Sequence, residues 1–403
     1  CGRETPRRRG GMRGKARMQI CALIMVLSVG SAMAFNTGVP HAISRERCGR
    51  NHALHRRAAP RLRAAARPRM QVWSNNEAIE QYRNLLSGKE EVREPDRPSV
   101  IVGDGAVASV FREGGGGEDL TVRRGESIPL EWKGQTSFPI YVCVPEDELE
   151  GIIRACPKEK VDDLVFISTG NIELLLKKYS LCGNDNTQIV PYFTIFDKGS
   201  RPQDCLVDLG KDAQGCQKYA AETTVCGKWA GPVSDRLERL GLHCRTVFYM
   251  DWRRIMIERC VFESVFNLVG VLHKDQKDRQ GVTLGEVGLY YAAEVEDMIV
   301  EINRALRGSM AITLMMGIEE RLFAYAQHPN IDFRKAKVEK FKWRNGFFYA
   351  MSQQAKDMVV NGVKVEFPDP CPKHTAYIEY AKEIGMVQED LEPYSPYGAT
   401  FEG

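Results

Sequence analysis

The chain lacks the features that several common functions require. Across its 403 residues only 20–29 form a sustained apolar run, and a spanning helix needs about 20 such residues. Histidine is scarce: past residue 70 there are only His243, His273, His328 and His374, with no two at metal-ligand spacing. No H-E-x-x-H, G-x-x-x-x-G-K-[ST] or G-x-S-x-G occurs, so zinc-protease, P-loop and nucleophile-elbow chemistry has no sequence support. Twelve cysteines are present without a C-x-x-C. The nine past residue 70 are odd in number and scattered, neither a disulfide framework nor a zinc pattern, and they suit a reducing compartment. Inert buried thiols, or thiol regulation of Cys205, Cys216 and Cys226, both remain open. No internal repeat occurs, and past residue 70 the one low-complexity run is Gly at 114–117.

The net charge of +3 hides two unlike parts. Residues 1–70 carry 16 Lys and Arg against Glu4 and Glu46. Residues 71–403 carry 40 basic and 51 acidic residues, a net of −11. So acidic a body argues against nucleic acid as a partner, because a basic footprint is missing.

Arg13, Lys15 and Arg17 precede the apolar run, and Ala32-Met33-Ala34 and Phe35 follow it. That order describes a secretory signal peptide; the alternative is a buried helix. Because the chain opens on Cys1, residues ahead of Met12 or Met18 are expected to be translated leader or part of a truncated upstream exon. Residues 35–69 hold nine Arg, three His and one acid, a transit-peptide composition unable to build a core. Together the two segments (1–34 and 35–70) resemble the bipartite presequence of algae with complex plastids, which implies delivery to the plastid stroma through a secretory first step. A secreted protein with a basic pro-segment is the alternative.

Residues 71–97 read as a polar helix over 75–86 and a linker. Short apolar strands are then expected at 99–102, 120–122, 139–144, 164–167, 189–195, 223–229 and 244–248. Helices at 147–155, 171–179 and 234–240 alternate with them. Such strands argue for a parallel sheet covered on both faces. Past residue 250, helical periodicity predicts helices at 252–272, 285–306, 312–325 and 335–359. The fold class is therefore α/β: a Rossmann-like domain over 98–249, then an all-α domain over 250–403.

The sharpest motif is Val100-Ile101-Val102 followed by Gly103-Asp104-Gly105-Ala106-Val107-Ala108, a strand entering G-x-G-x-x-A. The first glycine permits the turn and the second admits a pyrophosphate. The small third residue packs helix on strand. An ordinary βα turn is the alternative. At the end of the second strand, where an NAD site offers an acid to the ribose, stand Arg123 and Arg124. Two guanidinium groups there suit a 2′-phosphate and favour NADP(H); a solvated basic pair is the alternative. The helix after the turn is unusually short.

With these landmarks the stretch from about 98 to 387 resembles the ketopantoate reductase family. The resemblance rests on the glycine turn, the strand over 139–144, Val165 to Gly170, Tyr192-Phe193-Thr194, Trp252-Arg253-Arg254, Thr283-Leu284-Gly285-Glu286, Asp332, Asn345-Gly346-Phe347, and Gly362-Val363-Lys364-Val365 before a last helix. It implies a helical second domain of the 6-phosphogluconate dehydrogenase type and reduction of a 2-oxo acid with NADPH, a lysine supplying the proton. That lysine position falls on Arg254. The two asparagines at successive turns fall on Glu258 and Phe262. The lysine after the third strand falls on Pro145, and the cofactor-side asparagine on Thr169, with Asn171 close by. The glutamate falls on Lys340, beside Glu339. Asp332 and Asn345 are kept, and a substrate-binding serine falls on His328.

The expected catalytic set is thus Arg254, Glu258 and Lys340. Gly103 to Ala108, Arg123, Arg124, Thr169 and Asn171 are the cofactor set, and His328, Asp332 and Asn345 the substrate set. Arginine can hold a developing alkoxide but is a poor general acid. Arg254 and Glu258 could also simply pair along the helix. The expected function is an NADPH-dependent oxidoreductase acting on a small acidic carbonyl compound with altered catalytic residues, and a homodimer is left open. The alternative is a non-catalytic plastid protein that keeps the fold as a sensor or assembly subunit.

Overall fold

The structure, a computed structural model, describes residues 94–183, 185–212, 215–273, 282–356, 359–360, 363–364 and 367–387. The presequence, the helix expected over 75–86, Gly362 and Val365 lie outside them.

Five short strands, β1 (Val100–Val102), β2 (Leu120–Val122), β3 (Ile140–Val142), β4 (Leu164–Ile167) and β5 (Thr187–Val190), pair in parallel. Alternate residues feed opposite faces, as the two-residue period of a strand requires. Val100, Val102, Ile140, Val142, Leu164 and Phe166 pack on one side, with Ile101, Tyr141 and Val165 on the other. The helices between them are α1 (Ala106–Gly114), α2 (Leu149–Ala155) and α3 (Glu173–Lys178).

After β5 the chain makes two hairpins, β6 (Phe193–Thr194) with β7 (Gln203–Asp204) and β8 (Val207–Lys211) with β9 (Gln217–Ala220). The single strand expected over 189–195 is split at Pro191, which has no N–H for a ladder. β10 (Thr223–Cys226) rejoins the sheet antiparallel to β5. Then α4 (Ala230–Arg239) leads to β11 (Cys244–Thr246), parallel to β10. The sheet order is β11-β10-β5-β4-β3-β1-β2. Strand order reverses between β1 and β3, the place where doubly wound sheets take ligands beyond their carboxyl ends.

The shortness of α1 has a packing cause. A Cβ on Gly114 would sit 2.5 Å from the Arg236 carbonyl oxygen, so the helix ends pressed onto α4. Arg236 is buried and pairs with Asp119 at 2.7 Å and Asp96 at 2.8 Å, and it donates to the Phe111 carbonyl at 3.0 Å. One guanidinium thereby ties the end of α1 to the chain on either side of β1.

The second half is helical: α5 (Tyr249–Leu272), α6 (Leu284–Tyr290), α7 (Ala292–Met310), α8 (Ile318–Ala326), α9 (Asn345–Lys356) and α10 (Pro372–Glu383), with a hairpin of β12 (Val359–Val360) and β13 (Val363–Lys364) before the last. Most of α5 is buried, and α6, α7, α9 and α10 pack on it. Three expected helices differ from their periodicity, one by a break and two by a late start. The one over 285–306 breaks at Tyr291 after a start set by a Thr283–Glu286 capping box. That over 312–325 begins only at Ile318, because Ala311 and Gly317 are left-handed (φ 53° and 73°). That over 335–359 begins at Asn345, after an irregular strip whose Lys335 bridges Thr283. Among the described residues no helix is long and apolar enough to cross a membrane.

Candidate functional site

The glycine turn stands at the carboxyl end of β1, beside that of β3. Gly103 has φ +105°, and a Cβ there would lie 2.7 Å from the Cys143 carbonyl oxygen. Only glycine meets both demands. A Cβ on Gly105 would meet nothing within 4 Å, and no side chain caps α1. Backbone amides can therefore approach an anion here.

A cavity of about 990 Å³ opens on one side of this turn, lined by Gly103, Asp104, Gly105, Arg123, Arg124 and Pro145 among others. Both arginine side chains are exposed and have no ion-pair partner among the described residues. The nearby Glu126 carboxylate accepts the Arg123 backbone N–H at 2.7 Å, which engages the acid of this turn locally.

Ala106 and Val107 line a second cavity, of about 1120 Å³, between the sheet and the helical half. Ala108 is buried behind them. On α5 the cavity meets Arg259, Glu263 and Asn267. These are four residues apart and so share one helix face. Arg259 pairs with Glu263 at 2.7 Å, and Glu263 with Arg344 at 3.2 Å. Arg344 donates to the Thr169 hydroxyl at 2.9 Å, and Asn267 accepts the Lys337 backbone N–H at 2.9 Å. Burial opposes the Glu263 charge, but Arg344 and Arg259 outweigh it and hold its carboxyl below the usual range. The Arg259 guanidinium lies 4.7 Å from the Tyr192 ring centre and 4.8 Å from that of Tyr325. Its Nε and Nη1 are buried without a hydrogen-bond partner among the described residues. With Arg334, Lys335 and Lys337 the lining carries five cations against Glu263 and Glu339. The cavity suits an anion.

The expected site residues are dispersed. Gly103, Asp104, Gly105, Arg123 and Arg124 line the first cavity, and Ala106, Val107, Thr169 and Phe262 the second. Arg254 lines neither; it is 42% exposed and pairs with Asp251 at 2.9 Å. Glu258 is buried and held by Arg321 through two bonds of 2.8 and 2.7 Å, so the Arg254–Glu258 pair does not form either. Lys340 turns away to Glu146, while Glu339 lines the cavity. Asn171 shapes its loop, accepting the Glu173 N–H at 2.9 Å and donating its own to the Trp343 carbonyl at 2.7 Å. His328 accepts the Asn330 N–H at 3.1 Å, and burial lowers its basicity. The Asp332 carbonyl takes the Gly285 N–H at 2.9 Å, and Asn345 Oδ1 is buried 2.9 Å from His374 Nε2.

The physical reason is helix phase. Five residues turn a helix by about 140° beyond a full revolution, so Arg254 and Arg259 point to different sides. Arg259, Glu263, Asn267, Arg344 and Tyr325 were not singled out from the sequence. The usable signal was the four-residue spacing of Arg259, Glu263 and Asn267 along α5. Among the described residues no group of His, Cys, Asp and Glu could hold a metal. None of the nine described cysteines is in a disulfide, and burial raises the thiols of Cys205 and Cys226 while Cys216 is exposed.

No protein-family model matches the chain, and no curated protein does. Solved structures with some likeness include a dimeric ketopantoate reductase from Staphylococcus aureus, at 12% identity and TM-score 0.43 over 72% of this chain and 100% of that one. A D-mandelate dehydrogenase with NADH matches at 13% and 0.43, over 72% and 100%. An octopine dehydrogenase with NADH and L-arginine matches at 12% and 0.41, over 73% and 92%. Likeness this distant says nothing about activity.

Proposed function

We propose that the chain is an NADPH-dependent oxidoreductase that reduces a small acidic carbonyl compound of the 2-oxo acid class. One observation carries this: the glycine turn stands between two cavities, with Gly103 to Gly105 facing one and Ala106 and Val107 the other. A dinucleotide laid over the turn would have a half in each. The residues fit such a group. Gly103 and Gly105 clear the backbone for a pyrophosphate, Arg123 and Arg124 suit a 2′-phosphate, and Thr169 belongs to the nicotinamide side. When bound, the reduced nicotinamide supplies the hydride.

On the substrate side, Arg259 brings a guanidinium charge to the cavity wall, where it can stabilise a carboxylate or a developing alkoxide. Glu263 and Arg344 hold it in place through their ion pairs. Arg259, Glu263 and Asn267 also reproduce the one-turn spacing of the lysine and two asparagines of the resembled family, with the last asparagine kept. Phe262 makes one wall apolar.

The test is NADPH oxidation by the full chain against a panel of 2-oxo acids. Turnover of at least one, on the order of 1–10 per second, supports the reading. NADPH binding with no turnover transfers support to a non-catalytic protein that keeps the nucleotide. The fixed charge of Arg259 is the observation favouring that second reading, since it cannot act as an acid. We also propose plastid delivery by residues 18–70, which lie outside the described residues.

A further inference from the structure

Arg259 leaves a chemical gap. Carbonyl reduction needs a proton as well as a hydride, and a guanidinium does not release one near neutral pH. Thr169, Thr194, Tyr325, Lys335 and Lys337 are the lining residues with an ordinary O–H or ammonium proton. Thr169 accepts from Arg344 and Thr194 from Arg334, and an alkyl hydroxyl is too weak an acid. Lys335 and Lys337 are exposed at the rim. Tyr325 is only 2% exposed yet belongs to the lining. Its ring is fixed against Phe262 at 4.5 Å and Tyr192 at 5.1 Å, and Arg259 lies over it at 4.8 Å. Tyr192 flanks the same guanidinium but does not line the cavity.

We propose that Tyr325 is the proton donor in this cleft, with Arg259 holding the carbonyl oxygen and stabilising the phenolate left behind. This rests on reading the cleft as a site of carbonyl reduction. A C–H bond forms from the hydride of the reduced nicotinamide, which is oxidised, and the π pair of the carbonyl moves onto oxygen. The Tyr325 O–H bond breaks and its proton goes to that oxygen. The phenolate lies against the Arg259 charge and regains a proton from water. The charged and titratable groups around the hydroxyl are Arg259 and Glu263 from α5, Cys205 after β7, and Tyr192 after β5. Burial pushes the hydroxyl up to about 12, with Arg259 pulling against it. The donor therefore stays protonated at ordinary pH and can still protonate a developing alkoxide, which is a stronger base than the phenolate, so the reduction rate stays flat from pH 7 to about one pH unit below that value.

The experiment is steady-state NADPH oxidation by the full chain and its Tyr325→Phe variant, which keeps the packed ring, using the 2-oxo acid turned over fastest. The expected kcat falls about 10²–10⁴-fold, while NADPH Kd and substrate KM stay within about threefold. Lys335→Met and Lys337→Met test the rival donors. The proposal is overturned if Tyr325→Phe keeps a tenth or more of the wild-type kcat, or if a lysine variant takes the large loss instead. A wild-type chain that binds no NADPH, or binds it and reduces nothing, overturns the proposal together with the reading of the cleft. A failure confined to the variants leaves that reading standing.

Discussion

At the residue scale, Arg259 and Arg254 divide two roles that the sequence places on one cation. Arg259 is buried in the cavity wall with unpartnered donors, whereas Arg254 holds an exposed pair. An exposed ion pair is worth about 0–1 kcal/mol, so Arg254→Ala should leave kcat/KM within about twofold. Arg259→Ala removes an anion-stabilising group from a water-poor site and should cost about 10²–10³-fold. The reverse pattern in steady-state kinetics would put the cleft on the wrong face of α5. A second residue-scale expectation concerns His374, which is wholly buried, with burial pushing its imidazole down to about 4. The unfolded chain takes up this proton near pH 6.5, the folded chain only near 4. The stability that the neutral imidazole contributes is therefore full above pH 6.5 and is lost as pH falls through about 4, by roughly 2–4 kcal/mol. Urea melts at pH 7 and pH 4.5 should show a steeper acid loss in the wild type than in His374→Gln; equal slopes would contradict it.

At the element scale, the strip after Ile331 matters more than its helical periodicity suggests. A Cβ on Gly270 of α5 would lie 2.3 Å from the Ala336 Cβ and 3.0 Å from Val287. The glycine lets residues 334–339 lie against α5 and line the cleft. Gly270→Ala should force them apart and cost about 1–3 kcal/mol, seen as a lower Tm. An unchanged Tm together with unchanged NADPH affinity would show that this contact is unimportant. The same strip shows what local pattern can and cannot reveal. β1, β3 and β4 were legible because each is a short, wholly apolar run between turn signals, and the glycine turn because its backbone needs are local. Where 285–306 and 335–359 stop being helical was not legible, since Tyr291 and the Thr283–Lys335 bridge depend on tertiary contacts. The site was half legible for a related reason. Spacing puts polar residues on one face of α5, but only the packed neighbours decide which face meets the sheet.

At the scale of the whole molecule, the contrast between the basic residues 1–70 and the acidic remainder underlies the proposal that delivery and function belong to separate segments. A fusion of residues 18–70 to a fluorescent protein should reach the plastid of an alga with a complex plastid, and Phe35→Ala should divert it to the secretory route; cytosolic fluorescence of the unmodified fusion would end the idea. For residues 71–403 the proposed ligand is a nicotinamide dinucleotide with its 2′-phosphate at Arg123 and Arg124. It is tested most directly by fluorescence titration of the full chain with NADPH and NADH, beside a double Arg123→Ala, Arg124→Ala variant. One or two charge-assisted bonds should favour NADPH by about 1.5–3 kcal/mol, or roughly 10–150-fold, and the double variant should lose most of that preference while still binding NADH. Absence of binding to either nucleotide, or equal affinities in the wild type, would contradict the account.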